Sequence, residues 1–237
     1  KPLVILSNND GCVISRSNEA KSLGIPMGAP AFKYKEIFQK NNVQIFSSNF
    51  TLYGDMSNRV MSIIARHVPE VEIYSIDEAF IKFSGFSEDE ANKKCKEIIN
   101  TVLKWTGIPV SIGLASTKSL AKVANRIAKK NSHKTNGFYS ISSEKKRLEA
   151  LDNIFTRDIW GIGLQNEKKL SRINVKTGMD FISLPDKWVK KNMSIIGLKL
   201  KKELEGNPTL DIEEGKVDKK SIATTRSFES EISSLDD

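Results

Sequence analysis

The apolar residues between positions 50 and 137 repeat at helical spacing in some segments and at strand spacing in others. Along the chain these segments follow the order helix, strand, strand, helix, strand and helix. The predicted elements span residues 51–67, 71–76, 79–83, 90–105, 110–115 and 119–130, with Ser116 or Thr117 capping the last helix. This order predicts an α+β fold in which helices cover one face of a sheet.

The flanking regions have other patterns. The N-terminal region predicts two short strands, at 3–7 and 12–14, and a helix over 18–23 that ends at Gly24. A charged segment at 208–220 lacks a core pattern, which is typical of a linker, and a new segment begins at 221. Before that linker, short helices with loops between them are predicted at 144–150, 156–160, 166–173, 178–184 and, in pieces, at 186–206.

Composition narrows the class of protein. A net charge of +8 permits a polyanionic partner such as nucleic acid. Cys12 and Cys95 form no disulfide framework, which favours a reducing compartment, and His67 and His133 are too isolated for a zinc site. No apolar run reaches the roughly 18–20 residues that cross a bilayer, so we expect no membrane association. Because Lys1 opens directly into a strand pattern, we expect a fragment of a longer protein.

Asp77 and Glu78 stand between two apolar runs, 73–76 and 79–83. Neighbouring residues of a regular strand point to opposite faces, so both carboxylates share one site only in a bend or at a strand end. Their hard oxygens suit Mg²⁺, and two such ions can support phosphoryl transfer. A solvated hairpin tip explains the same spacing, and the spacing alone leaves both interpretations open.

Two further patterns suit phosphate groups. Residues 118–130 place cations on one helix face (Lys118, Lys122, Arg126, Lys129 and Lys130), which would offset a triphosphate or would simply be a solvated face. Residues 160–163, Trp-Gly-Ile-Gly, lie between short helices and precede Lys168, as in a helix-hairpin-helix that binds backbone phosphate. A plain helical hairpin is the alternative. The helix start at 15–21 is a weaker phosphate-binding candidate.

Several motifs occur together in a recognisable order. They are LSNNDGCVI at 6–14, FSSNF at 46–50, LYGDMSNRVM at 52–61, IYSIDEAF at 73–80, TKSLAKVAN at 117–125 and IWGIG at 159–163. From residue 1 to about residue 228 the chain resembles the Y-family translesion DNA polymerases, and most closely their UmuC branch. The resemblance implies a right-hand polymerase core with fingers at 1–49, palm at 50–137 and thumb at 138–207. A linker would follow at 208–220, and a little-finger domain would begin at 221–237.

The resemblance also implies roles at the catalytic centre. Asp77 and Glu78 would be palm ligands of two Mg²⁺ ions, and Lys129 and Lys21 would contact the incoming triphosphate. In the family, a further metal-binding aspartate and an aromatic steric gate lie on a strand that would precede residue 1. Many members have a Tyr and an Arg where this chain has Asn18 and Lys21. Lysine keeps the charge there but lacks the bidentate fork of arginine.

Other residues match family positions that contact the nascent base pair and the DNA. Cys12, Ile14 and Gly28 would roof the base pair. The primer backbone would be held by Gly161 and Gly163, with Lys168 and Lys122 as further DNA-binding residues.

The implied function is error-prone DNA synthesis past damaged bases in the SOS response, joining a dNTP to a primer 3′-hydroxyl on a template. The resemblance implies a UmuD-like subunit, a RecA-type filament and a sliding clamp as partners, in the bacterial cytoplasm at the nucleoid. Three alternatives remain: a non-catalytic DNA-binding fragment, a helix-hairpin-helix repair scaffold with an incomplete palm, and a nucleotidyl cyclase with a related palm. The hairpin at 160–163 and the finger-like insertion argue against the cyclase.

Overall fold

The computed structural model describes residues 1–213, 221 and 223. These residues form two compact units that divide after Gly54. The predicted linker at 208–220 is described only to residue 213, and the predicted start of a little-finger domain lies outside the described residues except at 221 and 223. Within the described residues, every helix is too short or too polar to span a bilayer.

The first unit is built on a three-stranded sheet of β1 (Leu3–Leu6), β2 (Val13–Arg16) and β3 (Gln44–Ser47). Strand β1 lies in the centre, antiparallel to β2 and parallel to β3. Helices α1 (Asn18–Ser22) and α2 (Lys35–Lys40) complete the unit. The first two strands and α1 were predicted, whereas α2 and β3 had no clear periodicity in the sequence.

The second unit begins within α3 (Phe50–His67) and alternates helices with short strands. Strands β4 (Glu70–Ile73) and β5 (Ala79–Lys82) form an antiparallel pair. Apolar residues of α3 and of α4 (Glu88–Thr106) pack against these strands in one core. Helix α4 begins at a capping box between Ser87 and Glu90 and ends at Gly107, whose φ of 72° suits glycine.

A βαβ crossover follows α4. Strand β6 (Ile112–Leu114) pairs in parallel with β7 (Phe138–Ser140), and α5 (Lys118–Lys130) and the short α6 (Ser132–Thr135) connect them. The apolar pattern of the sequence predicts one sheet in this region and no strand at 138–140. Instead, the described residues of the second unit form two separate two-stranded sheets.

The remaining helices enclose a second core around Leu151, Phe181 and Leu204. Helix α10 is one element with a break at Ser194, where φ is 65° and ψ is −173°, and this break agrees with the prediction of a helix in pieces. The helices of this region are α7 (Glu144–Asn153), α8 (Leu164–Arg172), α9 (Gly178–Ile182) and α10 (Asp186–Leu204), with a 3₁₀ turn at Thr156–Asp158.

The buried carboxylate of Glu203 joins α10 to the start of α5. Glu203 is fully buried, and its Oε2 accepts from the Ser119 N–H at 3.1 Å. Its other oxygen accepts from the N–H groups of Thr209 and Leu210, at 2.5 and 3.1 Å. Thr117 caps α5 through the Leu120 N–H and donates its own hydroxyl to the Glu203 carbonyl at 2.9 Å. The start of α5 is therefore fixed to α10 by hydrogen bonds without solvent access.

Replacing Glu203 with alanine should lower the free energy of unfolding by about 3 kcal/mol, because the buried N–H of Ser119 and the partly buried N–H groups of Thr209 and Leu210 lose their acceptor. Glu203→Gln should lower it by less, since it keeps one acceptor oxygen. Urea denaturation followed by circular dichroism measures both effects. The matched control is Glu149→Ala, which removes an exposed glutamate from α7 and should change the stability by less than about 0.5 kcal/mol. Equal losses in Glu203→Ala and the control would contradict the assignment.

Candidate active site

The two acidic residues lie in the connection between β4 and β5, residues 74–78, which we call the acidic turn. The N–H groups of Tyr74 and Ser75 both donate to the Glu78 carbonyl at 3.0 Å, which closes the turn. The exposed Asp77 carboxylate accepts from the Ser75 hydroxyl at 2.7 Å. The carboxylates thus lie in a bend between strands, one of the two positions in which neighbouring residues can share a site.

Glu78 faces helix α5. Its Oε1 lies 2.6 Å from the Nζ of Lys122. Beside this ion pair lies an open cleft of about 270 Å³. The cleft is lined by Glu78, Lys122, Asn125, Arg126, Lys129, Arg157, Asp158, Ile159 and Trp160. The structure therefore brings three predicted residues, Glu78, Lys122 and Lys129, to one cleft, whereas Asp77 is not among the lining residues.

Three aromatic rings pack together beside the acidic turn. Tyr74, Phe80 and Trp160 form this aromatic cluster, with ring centroids 5.6 to 5.8 Å apart in tilted or edge-to-face geometry. Trp160 immediately precedes the glycines of the predicted hairpin, so the cluster connects that hairpin to the acidic turn. In the sequence, the pattern around Trp160 indicates only the hairpin. No local pattern reveals a contact between residues so far apart in sequence.

The cationic face of α5 is largely neutralised by fixed carboxylates. Its ion pairs are Lys118 with Glu72 of β4, Lys122 with Glu78 of the acidic turn, and Arg126 with Asp158 of the 3₁₀ turn. Lys129 is exposed, and no carboxylate of the described residues lies within 4.0 Å of its ammonium group. Lys129 is thus the cleft-lining lysine whose charge can act on an added anion.

The donor chemistry of the acidic turn fits a divalent cation. Carboxylate oxygens are the ligands that Mg²⁺ prefers, and Glu78 already holds a cation, the Lys122 ammonium, at 2.6 Å. Asp77 offers a second carboxylate on the adjacent residue. Across residues 1–213, 221 and 223, no group of three or more His, Cys, Asp or Glu side chains is arranged to hold a metal ion. The acidic turn thus offers two carboxylate ligands to such an ion.

The hairpin at 160–163 leads into a helix as predicted, but a 3₁₀ turn at Thr156–Asp158 precedes it in place of the predicted helix at 156–160. Gly161 has a φ of 93°, which favours glycine, and Gly163 is the N-cap of α8. Both glycines are exposed, Ile162 between them is buried, and Lys168 lies exposed on α8. The predicted phosphate-binding residues therefore form an accessible helix start.

Four predicted residues lie in the first unit. The backbones of Cys12 and Pro30 form an isolated antiparallel β-bridge, and the Gly28 N–H donates to the Val13 carbonyl at 2.9 Å. The loop around Gly28 therefore runs along β2. Ile14, on β2, is exposed. Cys12, Ile14 and Gly28 thus belong to one part of this unit. Lys21 lies on α1, where its ammonium donates to the Asn18 side chain at 3.2 Å.

Known proteins match the chain over most of its length. The model of the impB/mucB/samB family matches residues 1–126. UmuC of Salmonella typhimurium is 44% identical over 230 residues, which are 96% of this chain and 54% of that protein. DNA polymerase IV of Picrophilus torridus is 35% identical over 202 residues, which are 83% of this chain and 55% of that protein. The chain thus spans about half the length of the curated relatives it matches.

Solved structures match the fold. An insertion ternary complex of Dbh DNA polymerase has a TM-score of 0.75 at 26% identity, over 90% of this chain and 62% of that one. DinB from Sulfolobus solfataricus has a TM-score of 0.73 at 26% identity, with the same coverage. These matches confirm the predicted α+β polymerase fold.

Truncating Trp160 to alanine should lower the free energy of unfolding by about 2 kcal/mol, because the half-buried ring loses its contacts with Tyr74 and Phe80. Guanidinium denaturation measures the loss. Trp105→Ala is the control, since that ring is 58% exposed at the end of α4 and its removal should cost less than about 1 kcal/mol. A loss no larger than that of the control would show that the aromatic cluster does not stabilise the unit.

Proposed function

The chain belongs to the impB/mucB/samB family, and on that premise we propose that it forms the core of an error-prone translesion DNA polymerase. The family assignment confirms the resemblance to Y-family polymerases that the sequence motifs carry. In the proposed reaction, a primer 3′-hydroxyl attacks the α-phosphate of a dNTP on a DNA template and releases pyrophosphate. The observation that best supports this proposal is the cleft, which Glu78, Lys122 and Lys129 line together. Asp77 is not a lining residue and adjoins Glu78 in the acidic turn.

The acidic turn has the role of metal ligand in this proposal. Asp77 and Glu78 would hold Mg²⁺ through their carboxylate oxygens, in a centre of two ions. Bound there, Mg²⁺ would neutralise charge that develops on the phosphate oxygens. The hydrogen bonds from Tyr74 and Ser75 to the Glu78 carbonyl support this role, because they fix the backbone that carries both ligands.

The cationic residues bind the substrates. The exposed ammonium of Lys129 lines the cleft and would offset the triphosphate charge, together with Lys21 of the first unit. Gly161 and Gly163 would present N–H groups to a primer phosphate at the start of α8. Lys168 and Lys122 would add attraction for the DNA backbone.

We assign residues 1–49 to the fingers, 50–137 to the palm and 138–207 to the thumb, followed by a linker and the start of a little-finger domain. Cys12, Ile14 and Gly28 would roof the nascent base pair in the fingers. Side chains of this size leave a loose roof, which agrees with low-fidelity synthesis. The proposed partners are a UmuD-like subunit, a RecA-type filament and a sliding clamp, with the protein acting at the nucleoid.

Replacing Asp77 with alanine in the full-length protein should reduce primer extension with Mg²⁺ by about 10³-fold or more, because one metal ligand is lost. A gel-based extension assay on a primer–template measures the rate. Asp89→Ala is the control, since Asp89 is an exposed acid in the first turn of α4 and should leave the rate unchanged. Wild-type activity in Asp77→Ala would show that the metal assignment is wrong.

A second candidate function is DNA binding without polymerisation. It is favoured by the metal-ligand count, because the acidic turn supplies two carboxylates and the described residues contain no group of three or more metal ligands. A nucleotidyl-transfer centre in this family normally uses three carboxylates, so the chain of 237 residues tested alone would bind DNA but extend it little.

The chain alone should bind primer–template DNA with an affinity that falls steeply with salt, because binding releases counterions from the phosphates. Fluorescence anisotropy at several KCl concentrations, with primer extension measured in parallel, tests both parts of this prediction. A matched measurement on Lys168→Met, which removes an exposed lysine proposed to contact the DNA backbone, should give a shallower salt slope. Robust extension by this chain, or binding that is insensitive to salt, would contradict the second candidate function.

A further inference from the structure

The ion pair between Lys122 and Glu78 is asymmetric. The Lys122 side chain is 17% exposed, whereas the Glu78 side chain is 41% exposed. The protein therefore encloses the cation and leaves its anion accessible from the cleft. A surface salt bridge formed only for stability needs no such enclosure of the lysine.

The aromatic cluster surrounds the enclosed ammonium. The Nζ of Lys122 lies 5.7 Å from the ring centroid of Tyr74, 5.9 Å from that of Phe80 and 5.8 Å from that of Trp160. Aromatic faces attract cations, so the three rings stabilise the ammonium independently of its ion pair with Glu78. Within the part of the chain that the structure describes, Glu78 is the only carboxylate within 4.0 Å of it. The lysine can therefore lose Glu78 and still keep its three aromatic contacts.

Lys118 provides a comparison one helical turn earlier. Its ammonium contacts Phe80 at 5.0 Å and pairs with Glu72, and both side chains of that pair are only 11% exposed. Glu72 also accepts from the Glu213 N–H at 2.8 Å. The Lys118 pair is thus closed on both sides, whereas the Lys122 pair is open on its acidic side.

We propose that Lys122 is a positioning residue. Its ammonium occupies the position beside the Glu78 carboxylate until a divalent ion binds the acidic turn. This inference rests on the proposed metal site. Two adjacent carboxylates repel each other, and the ammonium offsets that repulsion while no ion is bound. A divalent ion held by Asp77 and Glu78 would compete with the ammonium for the Glu78 carboxylate. The displaced lysine would keep its contacts with the three rings and line the cleft as a free cation.

The competition predicts that neutralising Lys122 tightens metal binding. Mn²⁺ alone is the probe, and its free concentration is followed by electron paramagnetic resonance during titration of the protein without DNA or nucleotide. For Lys122→Met we expect a Kd about tenfold lower than that of the wild type, because a competing charge in contact with the ligand is lost. Damage to the structure would weaken binding, so the direction of the change separates competition from a structural role.

Two variants control for general charge effects. Lys118→Met removes the same charge from the same helix and should change the Kd by no more than about twofold, since the Lys118 ammonium pairs with Glu72 and does not contact the acidic turn. Glu78→Gln combined with Lys122→Met should lose the gain. Circular dichroism checks folding, and if Lys122→Met does not fold, Lys122→Gln serves as a second neutral variant with the same expected result.

The outcomes separate this inference from the metal site itself. Mn²⁺ binding with equal or weaker affinity in the neutral Lys122 variants, relative to a wild type that binds, overturns the role of Lys122 and leaves the metal site intact. Equal tightening in Lys118→Met also overturns it, since the effect would then be one of total charge. Absence of Mn²⁺ binding in the wild type and in every Lys122 variant overturns both proposals.

Discussion

Helix α5 lies so close to strand β6 that no side chain fits between their backbones, and the candidate site depends on this contact. A Cβ atom on Gly113 of β6 would overlap backbone atoms of Ala121 and Asn125. Any larger residue at this position would push α5 away from the strand. Lys122 lies between these two helix residues in sequence, so such a shift would separate its ammonium from Glu78. The contact between Lys122 and Glu78 thus depends on the absence of a side chain at Gly113 of β6.

The first turn of the same helix is fixed by a different kind of interaction. There the Glu203 carboxylate accepts from the Ser119 N–H, and the Thr117 hydroxyl closes the cap. A carboxylate near a helix N-terminus is favoured by the free N–H groups and by the helix dipole. With its start and its centre held, α5 can direct successive cations to carboxylates on three separate segments. Ion pairs of this kind stabilise more when the side chains lose little freedom in forming them.

Local patterns in the sequence predicted the parts of this arrangement that are themselves local. The period of apolar residues located α5, and Thr117 was one of two candidate caps. The acidic pair was restricted to a bend or a strand end because adjacent strand residues diverge, and the structure has it in a bend. The order of motifs then identified the family, which no single motif could do.

Contacts between distant segments could not be predicted in the same way. Strand β7 has only three residues and pairs with β6 across a helical crossover, so it carries no usable period of its own. The sequence around Glu203 predicts a surface residue in a charged helix, yet Glu203 is fully buried. The start of α5 and residues 209–210 both converge on its carboxylate. The position of Trp160 against Tyr74 likewise follows from the packing of the second unit.

The aromatic cluster argues against a solvated hairpin tip as the interpretation of Asp77 and Glu78. A solvated hairpin tip would expose both carboxylates equally and would need no enclosed counterion. In this structure the adjacent acids differ: Asp77 accepts only from a serine hydroxyl among the described residues, whereas Glu78 faces an ammonium enclosed by three rings. Enclosing a lysine costs solvation free energy, which the aromatic faces and one carboxylate offset. An arrangement with that cost beside an open cationic cleft is better explained by ligand exchange at Glu78 than by stability of the turn.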